Sequence, residues 1–122
     1  MTKRCFGAVV PVLALASLLL ATSDAGAACG EGTPCRCGSL VQGRAVLDRD
    51  LLDCKGVGLR LGEGASLHCA GHTIRGLGTA ESKEGVRLHR VSGGTVKRCR
   101  IEGFQRGVRI RGGRDHRIVD NH

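Results

Sequence analysis

Three aspartates, Asp48, Asp50 and Asp53, lie close together at the start of the apolar part of the chain. Polysaccharide hydrolases need two carboxyl groups at a set separation, one as general acid and one as base or nucleophile. Spacing along the sequence does not establish that separation, and short acids at such places also accept hydrogen bonds from backbone amides. We therefore expect a turn or edge role for these three, and Asp115 and Asp120 stand apart near the end. The sequence assigns no catalytic residue.

The cysteines offer a second chemistry. Cys29, Cys35 and Cys37 with a histidine could hold zinc, but Cys-x-Cys is shorter than the usual Cys-x-x-Cys spacing. Copper transfer would need clusters of methionine or histidine, whereas Met1 is the only methionine and the five histidines are scattered. We expect no metal and no cofactor. Six of the seven cysteines follow a leader that contains Cys5, and an even number in an exported chain favours disulfides.

Three arginines occupy the same place in a repeated pattern of glycine, aliphatic, arginine, aliphatic: Arg60, Arg87 and Arg109. Stacked in register, they would form a basic row that could bind a linear anionic polymer, because a guanidinium matches carboxylate or phosphate bidentately. Repulsion between the like charges opposes such a row. The alternative is a solvated face, since exposed strand positions are normally polar.

The segments that carry these arginines have the sequence pattern of short β-strands. The copies at 58–61, 85–88 and 107–110 have the in-out-in period of a β-strand. They begin 27 and then 22 residues apart, a range typical of solenoid repeats. A glycine-rich turn follows each copy, and further strands are then expected at five aliphatic positions. These are Leu67, Val96 and Ile118 for a second strand, and Ile74 and Ile101 for a third. The pattern predicts parallel pairing between successive coils.

The stretch from Val46 to His122 resembles the right-handed parallel β-helix region of secreted bacterial proteins. The phrases at 67–76 and 85–88 carry the resemblance, which extends to the pectin-lyase-like superfamily and to the β-helix of a periplasmic copper-accessory family. It implies an all-β, right-handed parallel β-helix (solenoid) of about three coils. It also implies asparagine in the turn after the second strand, where Asn121 matches and Cys99 takes the equivalent place one coil earlier.

The resemblance further implies a disulfide between Cys37 and Cys54 that joins the N-terminal segment to the first coil. Cys69 and Cys99 lie in comparable parts of successive coils, close enough for a bridge if the coils form. Cys29 and Cys35 would then be the remaining pair. Six cysteines allow fifteen pairings, so other connectivities stay open.

The N-terminus has the features of an export signal. A basic start is followed by an apolar run from Phe6 to Ala21, which is short for a membrane span, and then by Ala25-Gly26-Ala27. A membrane anchor and a lipoprotein modified at Cys29 are the alternatives. We expect a signal peptide at 1–27 and a secreted or periplasmic bacterial protein with no membrane span after cleavage.

The mature chain divides into a cysteine-rich cap at 28–44 and β-helix coils at 45–122. The segment from Ala28 to Gly43 shows no apolar periodicity and is predicted to be irregular. A solenoid needs its first coil covered, which suits a cap. The chain ends in the middle of a repeat, so we expect a helix incomplete at its C-terminal end and an association at that edge.

Charge limits the partners. Outside the leader, 17 Lys and Arg oppose 10 Asp and Glu, a difference of +7. Such charge favours anionic polysaccharide or lipid, and export makes nucleic acid the least favoured partner.

The sequence therefore predicts a scaffold that contacts anionic polysaccharide through Arg60, Arg87 and Arg109, without a catalytic set in this chain. A structural or adhesive surface protein and a copper-accessory role are the alternatives. If the full-length protein is an enzyme, a polysaccharide lyase or hydrolase is the expected class.

Overall fold

The computed structural model describes residues 27–122. The predicted signal peptide lies outside the described residues, apart from Ala27. The described part contains β-strands and turns without a helix, so none of it forms an apolar helix long enough to cross a membrane. The strands are β1 (Ala28–Cys29), β2 (Ser39–Val41), β3 (Arg44–Val46), β4 (Leu51–Cys54), β5 (Gly56–Leu61), β6 (Ser66–His68), β7 (Thr73–Gly76), β8 (Ser82–His89), β9 (Thr95–Lys97), β10 (Arg100–Glu102), β11 (Arg106–Arg111) and β12 (Arg117–Val119).

These strands form three sheets in which every pair of neighbours is parallel. Sheet 1 has the order β1-β2-β5-β8-β11, sheet 2 has β3-β6-β9-β12, and sheet 3 has β4-β7-β10. From β2 onward the chain passes through sheets 1, 2 and 3 in turn and then begins again. The all-β class and the parallel pairing are confirmed, and the cyclic order is compatible with a solenoid.

The strands predicted from the repeats are present. The three copies of the arginine pattern lie in β5, β8 and β11. The second strand of each repeat is β6, β9 or β12, and the third is β7 or β10. The prediction that 28–43 is irregular is wrong for β1 and β2, which pair with each other. Val41 of β2 is fully buried and pairs with Leu61 of β5. A strand of three residues is too short to show a period in the sequence.

Stacked aliphatic side chains fill the space between the sheets, as the near absence of aromatic residues implies. The largest fully buried aliphatic side chains are Val41, Leu59, Leu67, Ile74, Val86, Leu88 and Val96. Each such side chain removed from water contributes about 1.5–3 kcal/mol to folding. The interior is therefore built from the alternate residues that the strand period predicts.

The glycine that opens each arginine pattern faces this interior. A methyl group on Gly58 would lie 2.8 Å from Cγ2 of Ile74 and 3.2 Å from Phe104, the single aromatic residue of the described part. It would also collide with the backbone carbonyl oxygen of Gly85 in the neighbouring strand β8. Glycine is needed here because these groups approach closely, and not because the backbone is left-handed. Gly85 and the fully buried Val86 both face inward, so the strand alternation is interrupted at this point of β8.

Residues 27–122 contain three disulfides: Cys29 with Cys35, Cys37 with Cys54, and Cys69 with Cys99. All three predicted pairings are confirmed. The first lies beside β1, which covers the edge of sheet 1; the second ties the segment before β2 to β4; the third joins the turns that follow β6 and β9. Such bridges indicate an oxidising environment, extracellular or periplasmic.

Candidate functional site

The arginine row forms in register on sheet 1. Arg60 of β5 pairs with Arg87 of β8, and Arg87 pairs with Arg109 of β11. Neighbouring strands of a sheet are about 4.8 Å apart, so the backbone positions of the three arginines follow one another at that spacing. The register that the repeated pattern predicts is confirmed. Leu40 takes the same place in β2 and ends the row on that side.

A glutamate that the sequence did not single out lies beneath two of these arginines. Glu84 of β8 is only 3% exposed. One of its carboxylate oxygens, Oε1, lies 2.9 Å from Nε and 2.8 Å from Nη2 of Arg87. The other oxygen lies 3.5 Å from Nη1 of Arg109. A buried carboxylate is costly unless it is paired, and here two guanidinium groups pair it.

The interrupted alternation of β8 explains how Glu84 reaches Arg87. Residues three apart on a regular strand point to opposite faces. Because Gly85 and Val86 both face the interior, Glu84 and Arg87 come to the same outer side of the sheet. The pairing register also shifts between Gly56 and Val57 where β5 meets β8, which places Glu84 opposite Val57.

Arg60 has a different partner. Its Nη2 donates a hydrogen bond of 3.2 Å to the backbone carbonyl oxygen of Gly38, in the turn before β2. Val57 occupies the place in β5 that Glu84 has in β8, so the first strand of the row offers no carboxylate there. The row is thus uneven, with one arginine on a carbonyl and two on a shared carboxylate.

Two shallow surface depressions follow the row. One, of about 190 Å³, is lined by Arg87, His89, Arg109 and Arg111. Another, of about 320 Å³, is lined by residues of β2, β5 and β8 and of the following turns: Leu40, Arg60, Leu61, Gly62, Arg87, His89 and Val91. Both include Arg87 and His89, so they form one track across the strands. We call Arg60, Arg87, His89, Arg109 and Arg111 the arginine face.

His89 and Arg111 are members of this face that sequence reasoning missed. They pair with each other in register, two residues beyond Arg87 and Arg109 on the same strands. The period of two could have indicated both, because residues i and i+2 of a strand share a face.

The arginine face has the chemistry of an anion-binding surface. The Nε and Nη2 groups of Arg87 both contact Glu84, so a ligand cannot use that edge of the guanidinium for a bidentate contact. Bidentate binding of a ligand at Arg87 is thus restricted to the edge formed by Nη1 and Nη2. The charge of the face remains positive, since four arginines oppose one buried glutamate.

A depression of about 370 Å³ lies elsewhere, near the turn between β9 and β10. Its lining combines both signs of charge: Gly71, Arg98, Cys99, Arg100, Asp120 and His122. Asp120 beside Arg98 and Arg100 weakens the field that an anionic ligand would meet. The arginine face is the stronger candidate because its one acid is buried and already paired.

The aspartates at 48–53 have structural contacts. Asp50 Oδ1 accepts hydrogen bonds from the backbone amide of Thr73, at 2.9 Å, and from Nδ1 of His72, at 3.1 Å. The hydrogen bond from the Thr73 amide lowers the pKa of the Asp50 carboxyl most, and the hydrogen bond from His72 adds to this effect. Together they hold that pKa below its usual range. Asp48 pairs with exposed Arg49 at 3.2 Å, which lowers the pKa of Asp48. The expected edge role is confirmed for Asp50.

The turn after β12 carries the asparagine that the resemblance implied. Asn121 Oδ1 accepts a hydrogen bond of 2.8 Å from the backbone amide of Cys99. Its Nδ2 donates one of 3.0 Å to the carbonyl oxygen of Val96. The side chain thus joins neighbouring turns. Asp115 and Asp120, exposed and in left-handed conformations, lie in turns on either side of β12.

The predicted metal alternative has no support in the described part. Cys29, Cys35 and Cys37 are all in disulfides, and within 27–122 no group of three or more His, Cys, Asp or Glu side chains could hold a metal ion.

Comparison with protein-family models found no match, and comparisons with curated proteins and with solved structures found no significant match. The resemblance of residues 46–122 to β-helix proteins therefore rests on the sequence phrases and on the parallel sheets.

Proposed function

We propose that this chain is an exported bacterial scaffold, a right-handed parallel β-helix of about three coils, whose arginine face binds anionic polysaccharide. Support for the fold comes from the three parallel sheets that the chain visits in turn. Support for export comes from the three disulfides.

The in-register row of Arg60, Arg87 and Arg109 carries the functional proposal. Charged side chains on successive strands offer a series of contacts, which suits a polymer with repeated anionic groups. Such a polymer would lie across the strands, along the track that passes Arg60, His89 and Arg111. Many weak contacts in a line provide retention by multivalency, without a deep pocket.

Binding rather than catalysis is the proposed activity. A hydrolase would need two carboxyl groups facing one another across a substrate. On the arginine face the one acid is Glu84, which is buried and paired with Arg87 and Arg109. A paired carboxylate that a substrate cannot reach serves neither as acid nor as nucleophile.

The test measures retention of the protein on immobilised polygalacturonate. Replacing Arg60, Arg87 and Arg109 by alanine should weaken binding about tenfold or more, because three partly exposed charge contacts are lost. A matched control removes the same charge from sheets 2 and 3 by replacing exposed Arg44, Arg100 and Arg117. Equal losses in the two variants would contradict a site confined to sheet 1.

A structural or adhesive surface protein is the second candidate. It is favoured by the contacts of the arginines themselves, since Arg60 bonds a backbone carbonyl and two others share Glu84. On this proposal the row stabilises the fold. The triple alanine variant would then lose thermal stability and keep its retention on the polymer.

A further inference from the structure

We propose that Glu84 is a positioning residue of the arginine face: it orients Arg87 and Arg109 for an anionic ligand, although its own charge opposes that ligand. The inference rests on the proposed function. It assigns to a buried acid a role that its charge alone would not suggest.

The contacts of Glu84 provide the evidence. Its two oxygens divide between the two arginines, Oε1 to Arg87 and Oε2 to Arg109. The Glu84 side chain is 3% exposed, whereas those of Arg87 and Arg109 are 38% and 36% exposed. The carboxylate is therefore inaccessible from solvent, while the guanidinium groups that it holds remain available to a ligand.

The place of Glu84 in the row matters. The same position carries Val57 in β5 and Arg106 in β11, so the acid stands on the middle strand of the three. From there it reaches Arg87 of its own strand and Arg109 of the next.

Two physical effects follow from this arrangement. The shared carboxylate offsets the repulsion between neighbouring guanidinium groups, which otherwise drives them apart. It also restricts two long side chains before a ligand arrives, and the ordering of such side chains at an interface weakens binding. Both effects favour a ligand that meets the arginines in their present orientation.

The substitution Glu84→Gln separates positioning from net charge, because the two predict opposite signs. The variant adds one positive charge to the face, so a purely electrostatic surface would bind polygalacturonate more tightly. Loss of positioning should instead weaken binding about two- to twelvefold. Glu102→Gln is the matched control: Glu102 pairs with Arg75 at 2.9 Å on sheet 3, and its replacement adds the same charge away from the face.

Affinity for polygalacturonate should fall for Glu84→Gln and stay equal or rise slightly for Glu102→Gln, with both variants folded by circular dichroism. Tighter binding by Glu84→Gln, or equal affinities in the two variants, would overturn the inference. Combining Glu84→Gln with alanine at Arg87 and Arg109 should abolish its effect, since no guanidinium remains for it to hold. A persistent loss in that combination would also contradict the role.

A second measurement needs no ligand. The Nε–H group of Arg87 donates to Glu84, so its proton should exchange slowly with water in the wild type and quickly in Glu84→Leu, whose side chain has no acceptor. Unchanged exchange would overturn the inference. A wild-type chain that retains no polymer would contradict the proposed function alone, and the Arg87 exchange would then decide whether Glu84 orients the arginines.

Discussion

Asp50 and Thr73, 23 residues apart, are joined by a hydrogen bond of 2.9 Å from the Thr73 backbone amide to the Asp50 carboxylate. Asp50 stands immediately before β4 and Thr73 begins β7, its neighbour in sheet 3. The aspartate therefore satisfies an amide at the start of the adjacent strand, where the ladder of backbone hydrogen bonds has yet to begin.

The Asp50 contact predicts a pH dependence of stability. Its folded pKa lies below the usual value of about 3.9, so the contribution is complete above about pH 4 and is lost as pH falls through the lowered pKa. Asp50→Ala should therefore unfold more easily in urea at pH 6 and lose less additional stability on acidification than the wild type does. Glu81→Ala, at an exposed position, is the control. Parallel stability curves for Asp50→Ala and the wild type between pH 6 and pH 2 would contradict this prediction.

The inward-facing glycines predict contrasting effects of one added methyl group. On Gly85 it would collide with Cγ2 of Ile101 and lie 2.7 Å from the carbonyl oxygen of Gly107, so Gly85→Ala should cost about 1–3 kcal/mol or more. On Gly107 its nearest neighbour would be Ile101 Cγ2 at 3.9 Å, an ordinary contact. Gly107→Ala should therefore be nearly neutral in urea unfolding. Equal destabilisation by the two changes would be inconsistent with the close approach at Gly85.

The buried hydroxyl of Ser82 is expected to stabilise the fold through its hydrogen bonds to two backbone groups. Its hydroxyl is fully buried, donates to the carbonyl oxygen of Cys54 at 2.7 Å and accepts from the amide of Leu77 at 2.7 Å. Ser82→Ala leaves both backbone groups without this partner, and we expect a loss of about 1–3 kcal/mol in the free energy of unfolding. Ser92, whose hydroxyl accepts from the Arg114 amide in an exposed turn, provides the comparison. Ser92→Ala should cost much less because water replaces the hydroxyl, and an equal cost would argue against burial as the cause.

Each disulfide is expected to stabilise the fold by an amount that increases with the length of chain that it encloses. The bond between Cys69 and Cys99 spans 30 residues, and that between Cys29 and Cys35 spans 6. Loop-closure entropy gives about 3.6 kcal/mol for the longer loop and about 2.2 kcal/mol for the shorter one. Removing each bond by paired alanine substitution should reproduce this order in urea unfolding under oxidising conditions. A greater loss from the Cys29 pair would indicate that covering the first strand of sheet 1 outweighs chain entropy.

Much of the strand layout follows from local patterns. The glycine–aliphatic–arginine–aliphatic copies predict β5, β8 and β11 and the register of Arg60, Arg87 and Arg109, because a repeated phrase stacks on its own copy. β2 could not be predicted in this way. Its place depends on pairing with β5 in sheet 1, beside a disulfide that brings Cys37 to Cys54.

The sequence by itself determined where the arginines lie along the stack, since strand period and repeat spacing are local properties of the chain. The tertiary structure decided what those arginines contact. Glu84 follows a lysine and reads as an exposed polar residue, yet it is buried beneath Arg87 and Arg109. That burial requires both the interrupted alternation at Gly85 and Val86 and the presence of the next strand, which lies 22 residues further along the chain. A contact that depends on two strands meeting has no signal within either one, and this is why the charge balance of the arginine face emerged only from the fold.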